Sequence, residues 1–326
     1  MSLVDQTNFK LDQGCLKIIG TGMSVPVNIV NNYDIRKAHM ADLDCDWVEQ
    51  KLGISERRVS EVGIMTTDVA SQAGLDALKQ AGIAKNSIDL LIVATATPDR
   101  QAPATACLVQ QKMGLNGAVA FDVSAVCSGF LFAMTIAKNF LQSGQSKRAM
   151  VIGADTFSRI TDWSRRDAVF FGDGAGAVIM EAAPGTQAIF DAELFSNGND
   201  ANAFTVYPGD ETFTMNAGDV LNSALEAIPK CADRVLSRNG LSIDDISIVV
   251  PHQPSINLLK KLSERTGIGF EKFCMNMDRY ANTAGATIPI ILHETLESGK
   301  IRKDDLVFFA AAGAGFTAGA AILRWH

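Results

Sequence analysis

Residues 127–152 read CSGFLFAMTIAKNFLQSGQSKRAMVI, and residues 282–309 read NTAGATIPIILHETLESGKIRKDDLVFF. Each opens on small residues and runs into an apolar-periodic stretch that predicts a helix, Phe130 to Leu141 in the first and Ile288 to Leu296 in the second. Each helix is followed by Ser-Gly, at Ser143-Gly144 and Ser298-Gly299, then by a charged turn and a short apolar strand, Ala149 to Ile152 and Leu306 to Phe309. Cys127 precedes Ser143 by 16 positions, and Asn282 precedes Ser298 by the same 16. Each copy then reaches a Gly-Ala-Gly element read as a turn, Gly174-Ala175-Gly176 and Gly313-Ala314-Gly315, followed by another apolar strand.

The match continues upstream. A helix ends near Gly82 before the strand Ile88 to Val93, and another ends near Gly240 before the strand Ile246 to Val250. His252 thereby takes the place that Ala94 holds in the first copy. Short apolar strands alternating with helices predict an α/β fold of parallel sheets covered by helices. A period of about 155 residues is too long for a solenoid and reads as a duplicated half. The expected halves are 1–185 and 186–326, with the seam at 182–190, where Pro184-Gly185 breaks the pattern.

Duplication has a functional consequence. Cys127, His252 and Asn282 all follow strand ends or precede helices, and α/β sites form at the carboxyl ends of strands. A pseudo-twofold relation would gather the three at one centre. Cys127 sits between a strand, Ala118 to Val123, and a helix beginning near Ser128-Gly129, where the helix dipole favours a thiolate. The plainer alternative is a buried Cys acting as a small hydrophobe. His252 is framed by Pro251 and Pro254, and its alternative is a core histidine with satisfied nitrogens. Asn282 could serve only as a helix N-cap. A Cys with a distant His and Asn is nonetheless a catalytic grouping. His39 and His293 are expected on solvated helical faces, and His326 is the terminal residue. The glycines of Phe171 to Gly176 lack the Lys-Ser/Thr of a phosphate loop and are read as a tight turn between buried strands.

Composition narrows the classes. The 326 residues are 47% hydrophobic and 20% charged, as in a globular chain with a large core. A net charge of −7 argues against nucleic-acid binding. The polar, acidic N-terminus is not a secretory signal, so a cytoplasmic protein with free thiols is expected. Leu306 to Leu323 has the length of a membrane span, but its glycines read as two buried strands around a turn, and no membrane association is expected. Six scattered cysteines without a Cys-x-x-Cys pair argue against a zinc site or disulfide scaffold.

Taken together, Asp122 to Phe130 around Cys127, Pro251-His252-Gln253, Asn282-Thr283-Ala284 and Gly313 to Gly319 resemble β-ketoacyl-acyl-carrier-protein synthase III, a branch of the thiolase-like condensing enzymes. Ile54 to Arg58 and Phe171 to Ala177 fit the same pattern, so the resemblance spans essentially the whole chain. It implies a thiolase-like five-layered α-β-α-β-α fold of two duplicated halves, a homodimer, and an acyltransferase of fatty-acid or specialised polyketide-type biosynthesis. Cys127 would take the acyl group of an acyl-CoA primer, and His252 and Asn282 would stabilise the enolate formed when a malonyl thioester loses CO₂. The backbone N–H groups of Cys127 and Ala314 would form the oxyanion hole. No metal or organic cofactor is implied.

The chain is a divergent member by this resemblance. Trp47 matches the residue that stacks on the CoA adenine, but the following Arg-Thr pair is Lys51-Leu52, while Arg165 matches the other nucleotide-side Arg. After His252 the usual Asn and Arg are Ser255 and Asn257, and Asn222 replaces a common Lys, which would weaken docking to an acidic acyl carrier protein. Ala102 stands where a Phe often closes the partner's acyl pocket, which implies a longer or bulkier primer. Two other readings keep the same residues: an acyltransferase to an alcohol or amine without loss of CO₂, and a non-catalytic subunit of a heterodimer. The intact Cys127, His252 and Asn282 argue against the latter. A thiol hydrolase would need a base directed at water, which nothing in the sequence specifies.

Overall fold

The computed structural model describes residues 15–183, 189–207 and 209–326. The expected seam at Pro184-Gly185 lies outside them. In chain order the first part contributes β1 (Cys15–Ser24), α1 (Thr66–Ala81), β2 (Leu90–Ala94), α2 (Thr105–Met113), β3 (Val119–Val123), α3 (Gly129–Gln142), β4 (Arg148–Thr156) and β5 (Asp173–Ala183). The second contributes β6 (Phe190–Ser196), α4 (Ala217–Arg238), β7 (Ile248–Pro251), α5 (Ile256–Thr266), α6 (Thr287–Glu297), β8 (Leu306–Gly313) and β9 (Thr317–Arg324).

The two sheets share one plan. The first has the order β1-β5-β4-β2-β3 and the second β6-β9-β8-β7. Ile92 pairs with Val151 in the first, and Val250 pairs with Phe309 in the second, both in parallel register and both displaced by the same number of residues. The counterpart of β3 is reduced to one parallel bridge, Val249 to Phe273. The helix ends repeat as well: Ser143 N–H bonds to Asn139 O and Gly144 N–H to Leu141 O, while Ser298 and Gly299 make the same bonds to Glu294 and Leu296.

The sheets are mixed, not parallel throughout as expected. β4–β5 and β8–β9 are antiparallel because no crossover helix separates them. The first Gly-Ala-Gly is also not a turn. It lies inside β5, paired with β1 and β4. Its glycines admit α6: a Cβ on Gly176 would stand 2.7 Å from the backbone of Pro289 and Ile290. Only the second Gly-Ala-Gly turns, between β8 and β9.

Alternating residues on the strands define five layers. Leu90, Ile92 and Ala94 face inward against α3 and α6, together with Val307, Phe309 and Ala311 of the other sheet. Leu91 and Val93 face outward against α1 and α2, and Phe308 and Ala310 face α4 and α5. The central layer is therefore two helices between two sheets, which explains why both α3 and α6 are apolar on nearly every side. Among the described residues no helix is long and apolar enough to cross a membrane.

Candidate active site

Cys127 lies in a tight helical turn, Val126–Ser128, that joins the segment after β3 to α3. Val126 before it has φ +45°, a left-handed conformation rare for a β-branched residue and a mark of a turn held under constraint. The constraint comes from the second half. Ser128 Oγ donates to Ala125 O at 2.9 Å and bonds to Thr317 Oγ1 at 2.9 Å. A Cβ on Gly313 would come within 2.9 Å of the Cys127 nitrogen, so this position admits the close approach of the β8 end only as glycine. The Ala314 turn is thereby brought beside Cys127.

His252 follows β7, and its backbone N–H donates to Ala310 O at 2.8 Å. Gln253, fully buried, accepts from the Asn276 and Met277 amides at 3.1 Å each and fixes the chain beyond it. Asn282 is held by backbone bonds to Phe170 and Gly172. Cys127, His252 and Asn282 are all buried, at 9%, 5% and 3% exposure, and all line one cavity of about 500 Å³ with Ala314.

Hydrogen-bond chemistry orients the polar pair. The Ala284 backbone N–H can only donate, and it points at Asn282 Oδ1 at 2.9 Å. His252 Nε2 lies 2.9 Å from the same oxygen, so Nε2 carries the proton and donates. The NH₂ of Asn282 is left for Cys127 and for a ligand. Burial lowers the His252 pKa to about 4, against the opposing Asn282 bond, so the imidazole is neutral at neutral pH.

The thiol departs from expectation. Burial pushes the Cys127 pKa up, and the nearby Asp155 charge pushes it further, outweighing the bonds from its own backbone and from Asn282. The dipole of α3 does not make a resting thiolate, because desolvation of a buried thiol exceeds the effect of a half-charge. Asp155 itself is fully buried at the end of β4, and burial raises its pKa to about 7.

The cavity runs from this buried end to an exposed one. Trp47 and Ser255 line it, as the sequence suggested, and so does Asn257, which the sequence had linked only to carrier-protein docking. Lys51 and Arg165 do not. Lys51 is exposed on the helical turn Val48–Leu52, and its neighbour Leu52 faces the cavity instead. Arg165 is spent internally, donating to Phe213 O at 2.8 Å and to Asp167. The cations that line the cavity among the described residues are Arg166, whose guanidinium sits 4.1 Å from the Trp47 ring centroid, and Lys261 of α5. Sequence reasoning passed over both; the adjacent Arg165-Arg166 pair could have signalled a choice between them. It also missed the aromatic wall beside Cys127, where Phe157 stacks on Phe171 at 4.6 Å and Phe204 on Phe213 at 5.2 Å. Ala102 and Asn222 are exposed and outside the lining. His293 is half-buried, its Nδ1 2.9 Å from Thr21 Oγ1, not solvated as expected.

The chain is similar in sequence and fold to known proteins. Residues 121–198 match the family model 3-oxoacyl-[acyl-carrier-protein] synthase III, and residues 236–325 match the model of that enzyme's C-terminal part. The chain is 41% identical to the β-ketoacyl-acyl-carrier-protein synthase III of Geobacillus kaustophilus, over 94% of this chain and 98% of that one. It belongs to the β-ketoacyl-acyl-carrier-protein synthase III family. The solved synthase III of Aquifex aeolicus superposes with a TM-score of 0.91 at 36% identity, covering 95% of this chain and 100% of that one. The Thermus thermophilus synthase III gives 0.90 at 33%, over 95% and 99%. As a member of the family the chain is an acyltransferase of the condensing type with the thiolase-like fold, and the fatty-acid role expected of it fits.

Proposed function

We propose that Cys127, His252 and Asn282 divide a two-stage condensation between them. The supporting observation is their convergence at the buried end of one cavity, with the Asn282 amide oriented by the Ala284 backbone. In the first stage Cys127 Sγ attacks the thioester carbonyl of an acyl-CoA. The carbon–sulfur bond to CoA breaks, and CoA leaves as the thiol with the proton that Cys127 gives up. Backbone N–H groups of Cys127 and Ala314 receive the oxyanion.

In the second stage a malonyl thioester enters, and its carbonyl oxygen accepts from Asn282 Nδ2–H and takes over the His252 Nε2–H, which turns to it from Asn282 Oδ1 while the Ala284 amide keeps that oxygen. Loss of CO₂ leaves an electron pair that these donors hold as an enolate. The carbanion attacks the acyl-Cys127 carbonyl, Sγ departs as thiolate, and protonation restores the thiol. A neutral imidazole suits this role, since it donates without giving up its proton. No metal or organic cofactor takes part in these steps.

Arg166 and Lys261, exposed cations on the cavity wall, would hold the phosphate end of the pantetheine carrier, and the Trp47 ring its nucleotide. The extender arrives on an acyl carrier protein, whose docking is weakened by the neutral Asn222 and Asn257. The protein works in the cytoplasm as a homodimer. Among the described residues β3 is the edge strand of its sheet, and this edge, with Val119 56% exposed, supports pairing with a second copy. Pairing there would carry Ala102 toward the partner's site and leave room for a longer primer, so Ala102→Phe should cut turnover of long acyl-CoA and spare acetyl-CoA.

Intact-protein mass spectrometry with acyl-CoAs from acetyl to dodecanoyl, followed by a malonyl thioester, tests the reading. One acyl mass on the wild type and none on Cys127→Ala, then CO₂ release and discharge of the adduct, is the expected result. An adduct discharged to an alcohol or amine without CO₂ would replace condensation with simple acyl transfer.

A further inference from the structure

The mechanism above makes no use of Asp155, an acidic side chain with 0% exposure at the carboxyl end of β4. Burying a carboxylate is costly, and such a group is retained where its hydrogen bonds do something specific. Here they join the two halves. Oδ1 accepts from the Ala96 and Thr97 amides at 2.8 and 3.1 Å and from the hydroxyls of Thr97 and Thr95 at 3.0 and 3.2 Å. All of these belong to the segment after β2. Oδ2 accepts from the Gly285 amide at 2.9 Å, across to the other half.

Gly285 follows directly on Ala284, whose N–H orients the Asn282 side chain. The segment is tightly seated: a Cβ on Gly153 would stand 2.1 Å from Gly285 O, and one on Gly285 would stand 3.2 Å from Asp155 Oδ2 and 3.4 Å from Val126 O. We propose that Asp155 is a positioning residue of the condensation step: its carboxylate ties the Gly285 amide to the Thr95–Thr97 segment and so sets where Asn282 presents its NH₂ to the malonyl carbonyl. The proposal rests on the condensing reading above.

Asp155→Asn separates this role from general stability. The amide oxygen can keep the four donors of the Thr95–Thr97 side, but its NH₂ then meets the Gly285 N–H, donor against donor. Gly285→Ala is the second variant; it keeps the carboxylate and displaces the segment by a few tenths of an ångström. In both folded variants, acyl loading on Cys127 should fall no more than about threefold, and in Asp155→Asn it should rise as the thiol loses the neighbouring charge, while CO₂ release from a malonyl thioester falls about 10- to 100-fold, the scale of a misplaced catalytic group. Hydrogen–deuterium exchange reads the clamp without any substrate. The peptide spanning 282–286 should exchange faster in Asp155→Asn, with the β4 peptide unchanged. Unchanged exchange at 282–286, or an equal change in both chemical steps, overturns the proposal. Absence of CO₂ release from the wild type would instead strike the condensing reading, and the exchange result would still decide the clamp. Should Asp155→Asn not fold, Gly285→Ala decides by the same two measurements.

Discussion

Asn282 Oδ1 is shared by two donors, His252 Nε2 and the Ala284 backbone N–H, each 2.9 Å away. One of them is main chain and cannot rotate away, so the amide face that meets the substrate is set before anything binds. Such preorganised donors are worth most to charge that develops only during reaction. Asn282→Ala and His252→Ala should each leave acyl loading on Cys127 within a few-fold of wild type. CO₂ release should drop by about 10²- to 10³-fold, as for one lost oxyanion donor elsewhere. Equal losses in both steps, measured by adduct mass and by CO₂ release, would assign these residues to loading.

The cations of the cavity divide by what they touch. Arg166→Ala removes the guanidinium stacked on Trp47 and should raise KM for acyl-CoA about two- to fivefold at unchanged kcat, the scale of an exposed cation–π contact. Lys261→Ala should do the same with a loss that fades as salt rises. Arg165→Ala removes the bond to Phe213 O and should lower the melting temperature with little change in KM. Steady-state kinetics at two ionic strengths, with thermal melts, distinguishes the three.

Asp155 raises the Cys127 pKa through its charge. Asp155→Asn takes that charge away, lowers the thiol pKa and increases the thiolate fraction at any pH near neutrality. Iodoacetamide should therefore label Cys127 faster in this variant than in the wild type at pH 8, read by peptide mass spectrometry. Slower labelling would show that the thiol does not feel the carboxylate.

His252 titrates at about 4 in the folded protein against an ordinary value of 6.5. Between those pH values the unfolded chain binds a proton that native His252 refuses. This contribution to stability is therefore fully present above pH 6.5 and lost as pH falls toward 4, by about 3 kcal/mol in all. Asp155, with its pKa raised to about 7, works in the opposite sense over the same range. Comparison with His252→Gln isolates the histidine: the variant's unfolding free energy, from urea titrations at pH 4.5 and 7, should fall less on acidification than the wild type's.

Gly176→Ala tests the five-layer packing. Its Cβ would stand 2.7 Å from the backbone of Pro289 and Ile290, so α6 must shift. Overpacking of this kind costs about 1–3 kcal/mol. Gly198→Ala, with nothing within 4 Å of the added carbon, should be near neutral in the same denaturation series.

The repeated plan of the two sheets and the convergence of Cys127, His252 and Asn282 were legible in the linear chain. Apolar periodicity and equal spacing from Cys127 to Ser143 and from Asn282 to Ser298 are local properties, and helices and strands respond to local pattern. Sheet direction was read less well. Whether a strand returns antiparallel depends on the absence of a crossover helix over 157–172, where only short helical turns form. The Gly-Ala-Gly of β5 looked like a turn because glycine serves both tight turns and close helix approach, and only the position of α6 separates the two.

The sequence by itself determined which side chains could do the chemistry and that they come from two related halves, because residue type and spacing are written along the chain. Tertiary structure alone decided the rest. It assigned the cavity to Arg166 and the structural bond to Arg165, since adjacent side chains on a loop diverge according to what packs beneath them. It also placed Asp155 near Cys127 and raised the Cys127 pKa, because burial and the sum of nearby charges belong to residues brought together from distant parts of the chain.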